Sequence, residues 1–311
     1  MTAAWIAARF IHFAAAMAAF GIGAFRIYAF SGGTVAADAP ARIALDRQLA
    51  SAMLIAAIVA FLTALAIVPA IAVEMTGSDT AALDPSVWQA VLLATEFGKV
   101  WRWHLGFAVV LMVLSAVPQR RWRSGAATLA AFLLLASLGL IGHAAMDMGG
   151  GPTHEINQMA HLIAGGIWLG GLVPLGVLLR HATRPESDAF VSLARSALPH
   201  FSQMGYAAVT LLAVTGTVNA VILVGSFEAL ATTPYGRLLC VKLALFAAMI
   251  SLALINRFRL LPKLRQDADA TTPLRALFRS VIAEQSIGLA ILAVVAVLGT
   301  WPPAIEAGMS M

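Results

Sequence analysis

The chain has 311 residues, of which 60% are apolar and 11% are charged, with a net charge of +5. Soluble domains carry about 25% charged residues, so a water-facing surface cannot be built from so few, and most of the area must face lipid. One cysteine, Cys240, excludes a disulfide framework and any cysteine-based zinc or iron–sulfur site, and its expected role is that of an inert buried thiol.

Charge-free runs occur at 10–25, 48–73, 103–119, 124–146, 156–179, 196–227, 243–256 and 285–305. Most reach the roughly 17–25 residues a helix needs to cross a bilayer. The first run extends to Thr2 and Phe30, and the seventh begins near Tyr235, with Arg237 and Lys242 able to snorkel to an interface. No run shows the period-2 alternation of a barrel strand, so the expected fold is all-α. It is a polytopic membrane protein with eight transmembrane helices and a single integral membrane domain over 1–311. No internal repeat is evident. Span one has no basic n-region and reads as a retained span. Residues 85–97 predict a short helix on the membrane surface before span three. Pro69 and Pro174 are expected to kink spans two and five, and Pro302–Pro303 to end span eight.

The basic residues set the expected orientation. The segments around Arg26–Arg47, Arg120–Arg123, Arg180–Arg195 and Arg257–Arg279 hold 15 of the 20 Lys and Arg. The positive-inside rule places these segments in the cytoplasm and both termini outside, N-out and C-out. The basic balance is thereby explained by topology and lipid, with no nucleic acid required.

Ionisable or ligand-type residues inside a membrane are costly and mark function by default. His12, His104, His143, His154 and His161 all fall at or within the outer half of the bundle on this topology. Residues 142–171, GHAAMDMGGGPTHEINQMAHLIAGGIWLGG, gather His143, Met146, Asp147, Met148, His154, Glu155, Met159 and His161. His154, Gln158 and His161, at i, i+4 and i+7, share one face of span five. Gly166 and Gly170 form a small-xxx-small pair that admits another helix beside them. Met309 and Met311 in the tail would add thioethers on the same side. Imidazole and thioether without cysteine favour copper over zinc, magnesium or calcium. His12, His143, Met146, Met148, His154, Met159 and His161 are therefore the candidate metal ligands, with His104, Met309 and Met311 as weaker additions. Each has a structural alternative: a helix tie for His12, an aromatic-belt position for His104 beside Trp101 and Trp103, and capping of span five for His154. Asn219, Asn256, Gln203 and Gln285 are expected to link helices, and Glu284 to be neutralised by Arg257 or Arg279 or to tie helices together.

Several segments resemble the CopD/PcoD family of bacterial copper-resistance inner-membrane proteins. They are RFIHFAAAMAAFGIGAF, GHAAMDM with HLIAGGIWLGGLVPL, FSQMGYAAVTLLAVTGTVNA and TPYGRLLCVKLALFAAMISLALINRFRLLPKL, with SVIAEQSIGLAILAVVAVLGTWPP at the close. The resemblance implies a bacterial inner-membrane protein of eight spans that handles copper with a periplasmic CopC-type copper-binding partner. By position it matches His12, His143 and His161 to family histidines, whereas His104 has no counterpart. Gln158 stands where family members often carry an acidic residue. The expected function is copper acceptance at the periplasmic face and movement across the inner membrane, without enzymatic activity. Two alternatives remain open: a haem-b oxidoreductase with intramembrane histidines as axial ligands (His12 and His161, or His143 and His161), and a copper-binding scaffold or sensor that moves nothing.

Overall fold

The computed structural model describes residues 3–30, 39–117, 121–142, 151–185, 187–266 and 270–305. Among them are eight helices long and apolar enough to cross a membrane, and no strand. The spans are Ala3–Tyr28, Pro40–Thr76, Glu96–Ala116, Trp122–Leu140, Pro152–Ala182, Asp188–Val224, Pro234–Leu264 and Thr271–Leu298. The charge-free runs thus find their helices, and several helices extend past the apolar run into polar sequence.

Span one is the hub. It packs against spans two, four, five and eight, and its buried face runs from Trp5 through Ala16, Phe20 and Phe25. Its contact with span five is made backbone to backbone. A methyl group on Gly21 would fall 2.1 Å from the carbonyl carbon of Gly170, and one on Gly170 would fall 2.0 Å from the Met17 oxygen. The small-xxx-small pair therefore does admit a helix, with Gly170 against span one and Gly166 against Leu135 and Phe20. The five residues Gly166–Gly170 are wound as a π-helix, and Asn256–Leu260 in span seven are wound the same way. At the basic end, Arg26 of span one and Arg42 of span two both hold Asp46 at 3.1 Å, fastening the two helices there.

The short surface helix is present as Pro85–Ala94, ending before the end of the expected 85–97 segment. Its N-cap is Asp84, whose carboxylate accepts from the Ser86 hydroxyl and backbone N–H, and these bonds hold the carboxyl below its ordinary range. Thr95 then interrupts the chain and caps span three by accepting from Gly98 N–H.

The connection before span seven follows the same plan as the one before span three. Spans two and six are each 37 residues long. Each ends at a positive-φ glycine followed by serine: Gly77 (φ 69) with Ser78, and Gly225 (φ 76) with Ser226. A short helix follows in both halves, Pro85–Ala94 in one and Phe227–Thr232 in the other. A threonine then caps the next span, Thr95 to Gly98 N–H and Thr233 to Gly236 N–H. Both glycines sit where a methyl would strike carbonyl oxygens of the short helix before them. The likeness lies in the turns and caps that punctuate the helices.

Two further expectations need revision. Cys240 is exposed on span seven rather than buried. Glu284 is buried, but its oxygen accepts from the Asn256 amide at 2.5 Å and makes no ion pair among the described residues. Arg257 instead lies over the Tyr206 ring, 5.8 Å from its centroid. The expected amide links do form between Asn219 and Gln158 at 2.8 Å and between Gln285 and the Leu172 carbonyl at 2.8 Å, while Gln203 is exposed.

Candidate metal centre

His12 sits on span one and His104 on span three, both slightly nearer the termini-bearing end than the middle of their helices. Both are buried, at 1% and 0% exposure. Their Nε2 atoms face each other at 2.9 Å. The aromatic-belt position expected for His104 is occupied instead by Trp103, which is 71% exposed, while Trp101 turns inward and donates its indole N–H to the Ala64 carbonyl at 3.0 Å. Trp101 stacks on the His104 ring with centroids 4.4 Å apart and 11° between planes, sealing one face of the pair.

The outer nitrogens decide the chemistry of the inner ones. His12 Nδ1 lies 2.9 Å from the Thr63 hydroxyl oxygen and 3.2 Å from the Ala60 carbonyl. A carbonyl only accepts, and the Thr63 hydroxyl already donates to the Val59 carbonyl at 2.7 Å. His12 Nδ1 is therefore the N–H donor, and its Nε2 carries a lone pair. His104 Nδ1 lies 2.8 Å from the Ser137 hydroxyl, which itself donates to the Leu134 carbonyl at 2.8 Å. The same reasoning makes His104 Nδ1 a donor and leaves a lone pair on its Nε2. With Nδ1 donating on both rings, the two Nε2 atoms share a gap of 2.9 Å, a hydrogen-bond distance that requires a proton or another positive charge between them. This is the outer-shell pattern that orients imidazole ligands toward a metal.

The other candidate residues divide. His161 on span five places Nδ1 2.8 Å from the Thr215 hydroxyl, and Thr215 donates to the Leu211 carbonyl at 2.6 Å. Its Nε2 is likewise left with a lone pair. His154 is buried at the start of span five, with no partner for Nδ1 among the described residues. Met159 packs against Gly139 at the end of span four. The structure brings His12 and His104 together and does not join His154, Met159 or His161 to them. No group of three or more His, Cys, Asp or Glu is clustered among the described residues. His143, Met146, Met148, Met309 and Met311 lie outside the described residues.

The orienting residues Thr63, Ser137, Thr215 and Trp101 were not visible as site residues in the sequence. Each lies tens of positions from the histidine it serves or, like Trp101, reads as an ordinary interfacial aromatic. The haem arrangement joining His12 to His161 meets an obstacle: His12 Nε2 already faces His104 at 2.9 Å, too close for a porphyrin between them.

Comparison with known proteins agrees with the copper vocabulary of the site. The family model described as Copper resistance protein D-like, N-terminal domain matches residues 1–153, and that described as Copper resistance protein D matches residues 195–298. The chain is 32% identical to the inner membrane protein YebZ of Escherichia coli K12, over 96% of this chain and 98% of that one. It is 29% identical to copper resistance protein D of Pseudomonas syringae pv. tomato, over 98% of both chains. It is also 29% identical to the copper transport protein CutJ of Bacillus subtilis 168, over 71% of this chain and 40% of that one. No solved structure matches. With eight apolar spans and homology along nearly its whole length, the chain is a multi-pass inner-membrane protein that belongs to the copper resistance protein D family.

Proposed function

We propose that this protein accepts copper at the periplasmic face and moves it across the inner membrane, with the His12–His104 pair as an intramembrane ligand site along the route. The observation that carries the reading is the facing of two buried Nε2 atoms across 2.9 Å, each ring oriented by an Nδ1 hydrogen bond to a different helix. Such an arrangement is costly in a helix bundle and rewards a positive ion between the rings. His161 on span five offers a further imidazole. Met146, Met148, His143 and the tail methionines are proposed to collect the ion before it reaches the bundle, from a periplasmic CopC-type donor. No phosphate-binding loop is evident in the sequence, so the proposed mechanism for this chain alone is passage down a gradient or handoff from a partner.

The test is copper movement into vesicles containing the purified protein. Wild-type vesicles are expected to take up copper, and His12→Ala and His104→Ala vesicles to take up little above protein-free controls. A wild-type protein that binds copper but moves none would reduce the reading to a scaffold. A stoichiometric haem in the purified protein, seen as a Soret band, would replace it with the oxidoreductase alternative.

A further inference from the structure

Resting on the copper reading above, we propose that the His12–His104 pair is a two-coordinate site for one monovalent soft ion, Cu(I), held on a line between the two Nε2 atoms. Divalent Cu(II) and Zn(II) are excluded.

Charge, donor number and internal comparison all point this way. The pair is buried, with no cluster of three or more acidic, cysteine or histidine ligands among the described residues. Two neutral imidazoles leave the ion's full charge in a low-dielectric interior, and the cost of burying charge rises with its square. Arg9, one turn before His12, lies over the Trp5 and Phe13 rings (5.4 and 5.9 Å) and adds positive charge on that side. A single positive charge is therefore far less costly here than a double one. The donors that meet there among the described residues also number two. Zn(II) takes four tetrahedral ligands and Cu(II) a tetragonal set, whereas closed-shell Cu(I) accepts two collinear nitrogens. Trp101 occupies the ring face from which a water ligand would otherwise approach. A linear ion needs the nitrogens about 4 Å apart, twice a metal–imidazole bond of about 2 Å. From 2.9 Å each ring must withdraw by about 0.5 Å, pivoting on its Nδ1–H bond.

The second half of the chain offers an internal comparison. His161 and Thr215 repeat the bond of His12 and Thr63, down to the threonine's donation to the carbonyl four residues earlier. His104 lies nine residues after the capping Thr95, and Lys242 lies nine residues after the capping Thr233. The register that places a histidine in one half places a lysine in the other. The second half thus carries its own basic side chain at the position of His104, and in the first half that place falls to the ion.

The experiment titrates the detergent-purified protein anaerobically with Cu(I), using a chromogenic Cu(I) chelator as competitor, and in parallel with Ag(I), Cu(II) and Zn(II). Variants are compared by equivalents bound, so that other copper ligands on the chain cancel. His104→Ala and His12→Ala are expected each to bind one Cu(I) fewer than wild type, with Ag(I) competing for that equivalent. His104→Lys, which copies the second half, is expected to melt like wild type and also to lack it. Lys242→His is expected to gain one equivalent, a result that misfolding cannot imitate. X-ray absorption of the difference equivalent is expected to show two nitrogen neighbours.

Equal Cu(I) binding by wild type and folded His104→Lys would overturn the proposal. So would a difference equivalent that binds Cu(II) or Zn(II) in place of Ag(I), or one with four neighbours. A folded Lys242→His protein that gains nothing would overturn the sufficiency of two imidazoles. Vesicle flux separates the two levels: flux unaffected by His104→Ala sinks this site and leaves the transport reading, while tight Cu(I) binding without flux does the reverse.

Discussion

Thr63 shows how a residue without ligand chemistry can set a ligand. Its hydroxyl donates to Val59 and so can only accept from His12 Nδ1–H, which leaves Nε2 as the nitrogen that faces His104. Replacing Thr63 by Val keeps the shape and removes that acceptor. Loss of such an outer-shell partner weakens metal affinity about 10–100-fold. Thr63→Val is therefore expected to weaken the His104-dependent Cu(I) equivalent by about that factor with little change in melting temperature, as read by chelator competition; unchanged affinity would mean that Ala60 alone orients the ring. Ser137→Ala is expected to act in the same direction on His104. At this scale the sequence was only partly legible. His12 and His161 stood out as imidazoles in apolar helices, but nothing local distinguished His104 from an interfacial neighbour of Trp103. The pairing exists only because spans two and four, each packed against both, bring spans one and three within side-chain reach. Cys240 was misread for a related reason: in lipid, an apolar environment does not imply burial in the protein.

Among the elements, the contact of spans one and five is the least compressible. Gly21→Ala would drive a methyl into the Gly170 backbone, where no flexible side chain can yield. Overpacking of this kind costs about 1–3 kcal/mol or more. Gly21→Ala is expected to lower the melting temperature in detergent, read by circular dichroism. Gly205→Ala in span six, where nothing lies within 4 Å, is expected to be neutral or to stabilise by up to about 1 kcal/mol, because alanine is the better helix former. If both variants melt alike, the two helices are less closely apposed than the geometry states. The existence and approximate bounds of the spans were legible because hydropathy reports them directly. The π-helical segments at Gly166–Gly170 and Asn256–Leu260 were not, since they arise from how span five meets span one and how span seven meets span eight. The same limit applies to Glu284: its charge was visible, but the helix pairing that brings Asn256 to it was not.

For the whole molecule, the remaining question is which way the site faces. The end of the bundle where spans one, three, five and seven begin is also the half that holds His12 and His104. The opposite end carries 15 of the 20 basic residues and the Arg26–Asp46–Arg42 cluster. Basic loops are retained on the cytoplasmic side, so the expected orientation has the termini and the histidine half outside. Alkaline phosphatase joined after Met311 is therefore expected to be active in cells, and a green fluorescent protein joined there to be dark, because the first folds only outside and the second only inside. The reversed pattern would place the histidine pair in the cytoplasmic half, and copper would then be loaded from the cell interior. Import would give way to export, with the Cu(I) site itself unchanged, since its donors and charge do not depend on the direction of approach.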